Sequence, residues 1–292
     1  MNTGVHAAKA SKRARASAWL RGDGIEIGAL HNPLELPPGA SVRYVDRMTE
    51  GELREHYPEL ATLDLTPVSI IGDAHDLSQL GDATVDFVVA NHLIEHLEDP
   101  IGGLAEMHRV LRPGGILYIA LPDPRATYDR NRPLTTVDHV LEEHRAGTGS
   151  TRRGHFEEWV DLVEPLLTDW HHVLTGRDLD REGQVRALMD IDYSIHFHVW
   201  RPETFLDLLS AVRRELGLRH EMVAFEPCVA GSDDEFIIVL RTGEFESPPP
   251  PRPEPAVVNV APTETVPAPP VSTPVRRGIL RRVGGRLRAL SR

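Results

Sequence analysis

An α/β fold, with a mostly parallel seven-stranded sheet wound by helices on both faces, is predicted from three features of this sequence. Short apolar runs alternate with helix-length segments between Asp23 and Leu121, the rhythm of repeated βαβ units. The run Val85–Ala90 (VDFVVA) is apolar almost throughout, as in a strand covered on both faces. The first strand ends in Glu26-Ile27-Gly28, and the next apolar run ends at Asp46, 20 residues after Glu26. That is the layout of a nucleotide-type site at the carboxyl edge of an open sheet.

The elements follow in order. Val5–Leu20, rich in Ala, Lys and Arg, reads as a helix or arm within residues 1–22. Strands are predicted at Gly24–Ile27 and Val42–Val45. Thr49 followed by Glu52 is a capping box and opens a helix running to Tyr57. Val68–Ile71 is the third strand, Asp76–Leu80 a helical turn, and Val85–Ala90 the fourth strand. Asp99-Pro100 is an N-cap and N1 pair for a helix over Ile101–Leu111. Pro113-Gly114-Gly115 turns into a fifth strand, Ile116–Leu121.

The alternation then stops. Residues 122–198 form an insertion that is helical at Thr136–Arg145 and Phe156–Leu167 and holds seven of the 15 histidines. Pro202–Leu216 is an amphipathic helix, and Leu218–Phe225 with Glu235–Leu240 makes an antiparallel hairpin that closes the sheet. Residues 23–243 are therefore one domain. Residues 244–275 are a Pro-rich linker, with eleven of the 24 prolines between Ser247 and Pro274. Residues 276–292 form a basic amphipathic tail, with Ile279, Leu280, Val283, Leu287 and Leu290 on one face.

Composition narrows the function. The formal net charge is −12, and Arg276–Arg292 carries seven arginines and no acid, leaving −19 on the rest. A body of that sign repels phosphate backbones, which argues against nucleic acid as partner. No run is apolar enough to cross a membrane, and the basic N-terminal stretch lacks the apolar core of a secretory signal. The single cysteine, Cys228, fits a reducing cytoplasm and builds no thiolate metal cluster. The acidic body leaves the basic tail as the segment suited to peripheral docking on an anionic membrane or an acidic protein.

The order of these signals resembles class I S-adenosylmethionine (SAM)-dependent methyltransferases. Glu26-Ile27-Gly28 is similar to the start of their acid-x-Gly-x-Gly motif, Asp46 to the acid ending strand two, and Asp73-Ala74 to the loop that receives adenine. DFVVANHLIEHLEDP (Asp86–Pro100) and RVLRPGGILYIALPD (Arg109–Asp123) are the most specific stretches. Through EIGALHNP, RYVDR and PDPRATYDRNRPLT the chain is also similar to members that accompany glycosyltransferases of surface-polysaccharide assembly. The resemblance implies SAM as methyl donor. It places Asp46 on the ribose hydroxyls, Asp73 and Ala74 on the adenine, and Glu26, Gly28, Asn91 and His92 around the methionine and sulfonium end.

One departure stands out. The family continues x-Gly-x-Gly into a helix, whereas this chain has Leu30 and Asn32 at those positions. Only 13 residues separate Gly28 from Val42, and Pro33, Pro37 and Pro38 lie among them. Proline is costly inside a helix, so the first crossover helix is predicted to be short or missing. The methionine end then meets a loop at Leu30, His31 and Asn32, with the N-terminal helix covering the gap.

A hydroxyl acceptor needs a base near neutral pH, most often His. His196 and His198, alternating in IHFHVW, are the first candidates and His155 the next; His92 is placed near SAM and His96 in local packing. No metal site is expected, because no third ligand stands at fixed spacing from His92 and His96. The reading is O-methylation of a sugar or small-molecule hydroxyl. The other class considered is a SAM-fold partner or regulator of a glycan-assembly enzyme, without turnover. A nicotinamide dehydrogenase is disfavoured because G-x-G-x-x-G is absent.

Overall fold

A computed structural model of the chain describes residues 3–167 and 179–243. His171 and His172, the Pro-rich linker and the basic tail lie outside the described residues. In chain order the elements are α1 (Thr3–Ser17), β1 (Gly22–Ile27), β2 (Ala40–Asp46), α2 (Glu50–His56), β3 (Ile70–Ile71), β4 (Val85–Asn91), α3 (Pro100–Val110) and β5 (Leu111–Pro122). They are followed by α4 (Val137–Ala146), α5 (Arg152–Leu162), α6 (Arg181–Asp190), α7 (Pro202–Leu216), β6 (His220–Glu226) and β7 (Glu235–Thr242). The sheet has seven strands in the order β3-β2-β1-β4-β5-β7-β6. Pairings are parallel from β3 through β5, and β7 runs antiparallel to both its neighbours.

Local chemistry sets the helix starts. Thr49 and Glu52 form the reciprocal capping box at α2, and Asp99 accepts from the Gly102 amide with Pro100 at the first position of α3. Residues 76–80 are a set of turns and not a helix. There the amides of Leu77 and Ser78 go to the side chains of Glu106 and Asp76.

Side chains alternate across the strands. Val88, Ala90, Leu117, Ile119, Ile238 and Leu240 face one layer, packed by Ile101, Leu104, Met107, Phe205, Leu208 and Val212 of α3 and α7. Phe87, Val89, Tyr118, Ala120, Ile237 and Val239 face the other. No helix joins β1 to β2, as the three prolines require. That second face is covered instead by Ala16, Trp19 and Leu20 at the end of α1 and by Leu34 of the connecting loop. Gly24 is needed here, because a Cβ on it would lie 2.2 Å from the Phe87 ring.

Charge docks α1 onto the β6–β7 end. Arg13 makes a two-pronged pair with Glu235 (2.9 and 2.7 Å), and Arg15 does so with Glu226 (3.2 and 2.8 Å). Buried Lys12 reaches Asp233 at 2.8 Å. The insertion has a core of its own, with Phe156, Trp159, Val160 and Val163 packed on Val185, Leu188, Ile195 and Phe197. No helix among the described residues is long and apolar enough to cross a membrane.

Candidate functional site

Two cavities open at the carboxyl ends of β1, β2 and β4, where a parallel sheet presents its ligand crevice. The first, about 310 Å³, runs from Asp46, Arg47, Asp73 and Ala74 past Gly28, His92 and His96 to Tyr128, Trp159, Tyr193 and Ser194. The second, about 270 Å³, is lined by Lys9, Arg13, His31, Asn32 and Asn91 and shares Gly28, Leu30, His92 and His96 with the first. Three residues at this edge are left-handed: Gly28 (φ 69°), Leu30 (48°) and His92 (50°). Gly28 adopts that geometry freely, whereas at Leu30 and His92 it stores strain, as functional loops often do.

At one end of the first cavity, Asp46 is buried and burial raises its pKa; the amides of Arg47 and Met48 pull the other way. Asp73 also lines the cavity, but its Oδ1 accepts from the His75 amide (2.8 Å) and faces the His75 ring nitrogen (2.9 Å). That ring holds the Asp73 carboxyl below its usual range. Tyr57 and Leu53 add an apolar wall.

At the junction, His92 Nε2 lies 2.7 Å from the Glu235 carboxylate, which Lys9 and Arg13 also approach. Burial opposes ionisation of Glu235, yet His92 and Arg13 together hold it well below the usual carboxylate range. The Asn91 amide is buried beside the Glu26 carboxylate, whose pKa it helps to lower. His96 donates from Nδ1 to the Ile195 carbonyl (2.9 Å), which leaves Nε2 without a hydrogen bond to the described residues. Burial, then the neighbouring His196, pushes its pKa well below the usual histidine value, so the ring is neutral at pH 7.

Not every candidate from the sequence reaches the cavities. Asp46, Asp73, Ala74, Gly28, Asn91 and His92 do. Glu26 does not: it is wholly buried, and both its oxygens accept from the Leu34 amide (3.1 and 3.0 Å). It clasps the loop that replaces the missing helix. His196 is buried behind the cavity wall, bridging the Asp129 carboxylate (2.7 Å) and the Tyr128 hydroxyl (2.9 Å). His155 and His198 lie elsewhere: His155 lines a separate cavity with His139, and His198 is stacked on Trp200. Two residues missed by sequence reasoning line the junction. His96 was placed in local packing, though its position right after β4 was the available signal. Arg13 had none, since its approach depends on the docking of α1.

Burial raises the Glu26 pKa to about 7, against the amides and the Arg13 charge that lower it. A raised folded-state pKa gives stability that is complete below the unfolded value of about 4.5 and is lost as pH rises through about 7. Glu26→Gln keeps an acceptor for the Leu34 amide and removes the charge. The variant is expected to melt about 2–8 °C above the wild type at pH 8, with the gap closing near pH 5, as read by differential scanning calorimetry. An equal gap at both pH values would contradict the assignment.

Residues 24–119 match the family model described as a methyltransferase domain. Among curated proteins, the chain is 32% identical over 104 residues to an uncharacterized 37.1 kDa transposon protein of Streptomyces fradiae (35% of this chain, 28% of that one). It is 37% identical over 103 residues to a probable S-adenosylmethionine-dependent methyltransferase of Mycolicibacterium smegmatis (35% and 36%). A malonyl-[acyl-carrier protein] O-methyltransferase of Laribacter hongkongensis is 22% identical over 219 residues (62% and 68%). The matches to the first two span about a third of their length.

Proposed function

We propose that residues 24–119, which match the methyltransferase-domain model, work as a class I SAM-dependent methyltransferase and that the chain transfers the methyl group of SAM to a hydroxyl of a small polyhydroxylated acceptor, a sugar or a glycan unit. The observation that carries this is the pair of cavities meeting at Gly28, His92 and His96, with a buried carboxylate at one end and cations at the other. The donor set fits SAM. Asp46 accepts from the ribose hydroxyls, Ala74 and the free oxygen of Asp73 meet the adenine, and Tyr57 and Leu53 cover it. The Asn91 side chain, which lines the second cavity, faces the amino acid end, and Arg13 and Lys9 offer charge to its carboxylate.

When bound, SAM supplies an electrophilic methyl carbon. The protein aligns the acceptor with that carbon and keeps water out. His96 takes the hydroxyl proton at Nε2: its Nδ1 is fixed on Ile195 and its ring is neutral before the acceptor arrives. Tyr128, Trp159, Tyr193 and Ser194 line the acceptor end. Aromatic faces with hydroxyl groups between them suit the apolar C–H faces and polar rim of a sugar ring. A non-catalytic partner is not favoured, since the cavity holds an uncommitted neutral imidazole. Calorimetry with SAM, followed by transfer of a labelled methyl group to a panel of sugars and glycans, tests the reading. Absence of SAM binding by the wild type would remove the enzyme; SAM binding with transfer only to amines or thiols would remove the hydroxyl acceptor.

A further inference from the structure

Outside the cleft, the insertion gathers four metal-ligating side chains from three separate segments. His139 and Glu143 stand one turn apart on α4, His155 is in the first turns of α5, and His198 lies on the extended run before α7. One ligand atom from each can be chosen so that all lie within 4.8 Å of one another. The closest approaches are His155 Nε2 to Glu143 Oε1 at 2.8 Å, His139 Nε2 to the same oxygen at 3.2 Å, and His139 to His155 at 3.3 Å. His198 Nε2 is 3.6 Å from the other Glu143 oxygen. Bonds of about 2.0–2.1 Å in a tetrahedron put ligand atoms about 3.3–3.4 Å apart, and the His139–Glu143 and His139–His155 separations match that spacing.

The free cluster is poorly satisfied. Two imidazole nitrogens 3.3 Å apart converge on one carboxylate oxygen, so three polar atoms crowd into one small volume. Glu143 Oε2 and His198 Nδ1 are buried with no hydrogen-bond partner. A cation removes the crowding and gives the carboxylate its counter-charge. The surroundings suit a bound ion. Thr151 donates its hydroxyl to the same Glu143 oxygen that faces His139 and His155, which fixes the carboxylate's orientation, and Trp200 stacks on His198. His139, 33% exposed, opens onto the cavity of about 450 Å³ that it shares with His155, giving an entry path.

We propose that His139, Glu143, His155 and His198 bind one borderline divalent cation of the Zn²⁺ type, as a closed structural site that staples α4 and α5 to the run leading into α7. The donor set of three imidazoles and one carboxylate selects Zn²⁺ or Co²⁺ over Mg²⁺ and Ca²⁺, which want oxygen. Four protein ligands leave no open position, so the ion holds the insertion together and does not act on substrate. Sequence spacing concealed the set, since only His139 and Glu143 have a helical interval.

The test uses tag-free, full-length protein stripped with a chelator and titrated with ZnCl₂ or CoCl₂. One equivalent is expected to bind with a dissociation constant at or below about 1 μM and to raise the melting temperature. The Co²⁺ form is expected to show the intense visible absorption of four-coordinate geometry. His139→Ala, at the most exposed ligand, is expected to weaken binding at least tenfold with the fold retained, whereas His108→Ala on α3 leaves it unchanged. A wild type that takes up no equivalent at 1 mM ZnCl₂, an octahedral Co²⁺ spectrum, or unaltered affinity in both His139→Ala and Glu143→Gln would overturn the proposal.

Discussion

Asp46→Ala is expected to weaken SAM binding at least about 100-fold by calorimetry, with the melting profile little changed. Hydrogen bonds to a charged group contribute about 1.5–3 kcal/mol each, and a carboxylate accepting two ribose hydroxyls makes two. A factor of 100 corresponds to about 2.8 kcal/mol, the low end of what that pair supplies. Burial matters to the size of the effect. Asp46 is shielded from solvent at the end of β2, so water replaces the lost carboxylate poorly. Asp46→Asn keeps one acceptor oxygen and is expected to lose about tenfold. Asp73→Ala is expected to cost less than Asp46→Ala, because one Asp73 oxygen is already committed to His75. Unchanged affinity in Asp46→Ala would place the ribose elsewhere.

The second large effect concerns His96. His96→Ala is expected to lower kcat about 10²–10⁴-fold while SAM affinity stays within a few-fold, since the loss falls on proton removal. The pH profile separates this residue from the other histidines. A folded-state pKa pushed well below about 6.5 means that the ring stays neutral as pH falls from 8 to 6, so kcat is expected to hold level across that range. A wild-type kcat that halves near pH 6.5 would point to an ordinary, solvent-facing histidine as the base. Full activity in His196→Ala would remove any relay through Asp129, His196 and Tyr128. A loss in His198→Ala that is restored by stabilising conditions would belong to the insertion's integrity and not to the chemistry.

Much of the fold was legible in the chain because periodicity and capping are local. The buried run of β4, the Thr49–Glu52 box, the Asp99-Pro100 start and the full span of α7 were read without long-range information. The missing crossover helix was legible too, from three prolines in a short connection. Of the cavity lining, the strand-end acids Asp46 and Asp73 were legible, because acids at strand ends follow from topology. Glu26 was misplaced because a strand-end carboxylate serves a ligand and a loop amide equally well, and only the Leu34 contact decides between them. His196 and His198 were singled out for a period-2 pattern that also describes two buried histidines facing separate clusters. The base candidate, the cations of α1 and the four-ligand cluster all depend on which segments the fold brings together, and no spacing encodes that.

The docking of α1 carries a cost in time. Arg13 pairs with Glu235, 222 residues later in the chain. At about 5–20 residues per second of synthesis, a basic helix leaves the ribosome on the order of ten to forty seconds before its acidic partner exists. Through that interval Lys12 has no Asp233 to meet, and Trp19 and Leu20 have only the first strands to cover. The nascent chain thus presents a cationic, partly apolar segment on an otherwise acidic body. The edge where the two cavities meet is therefore completed last, when β7 arrives and Glu235 draws in both the first helix and His92.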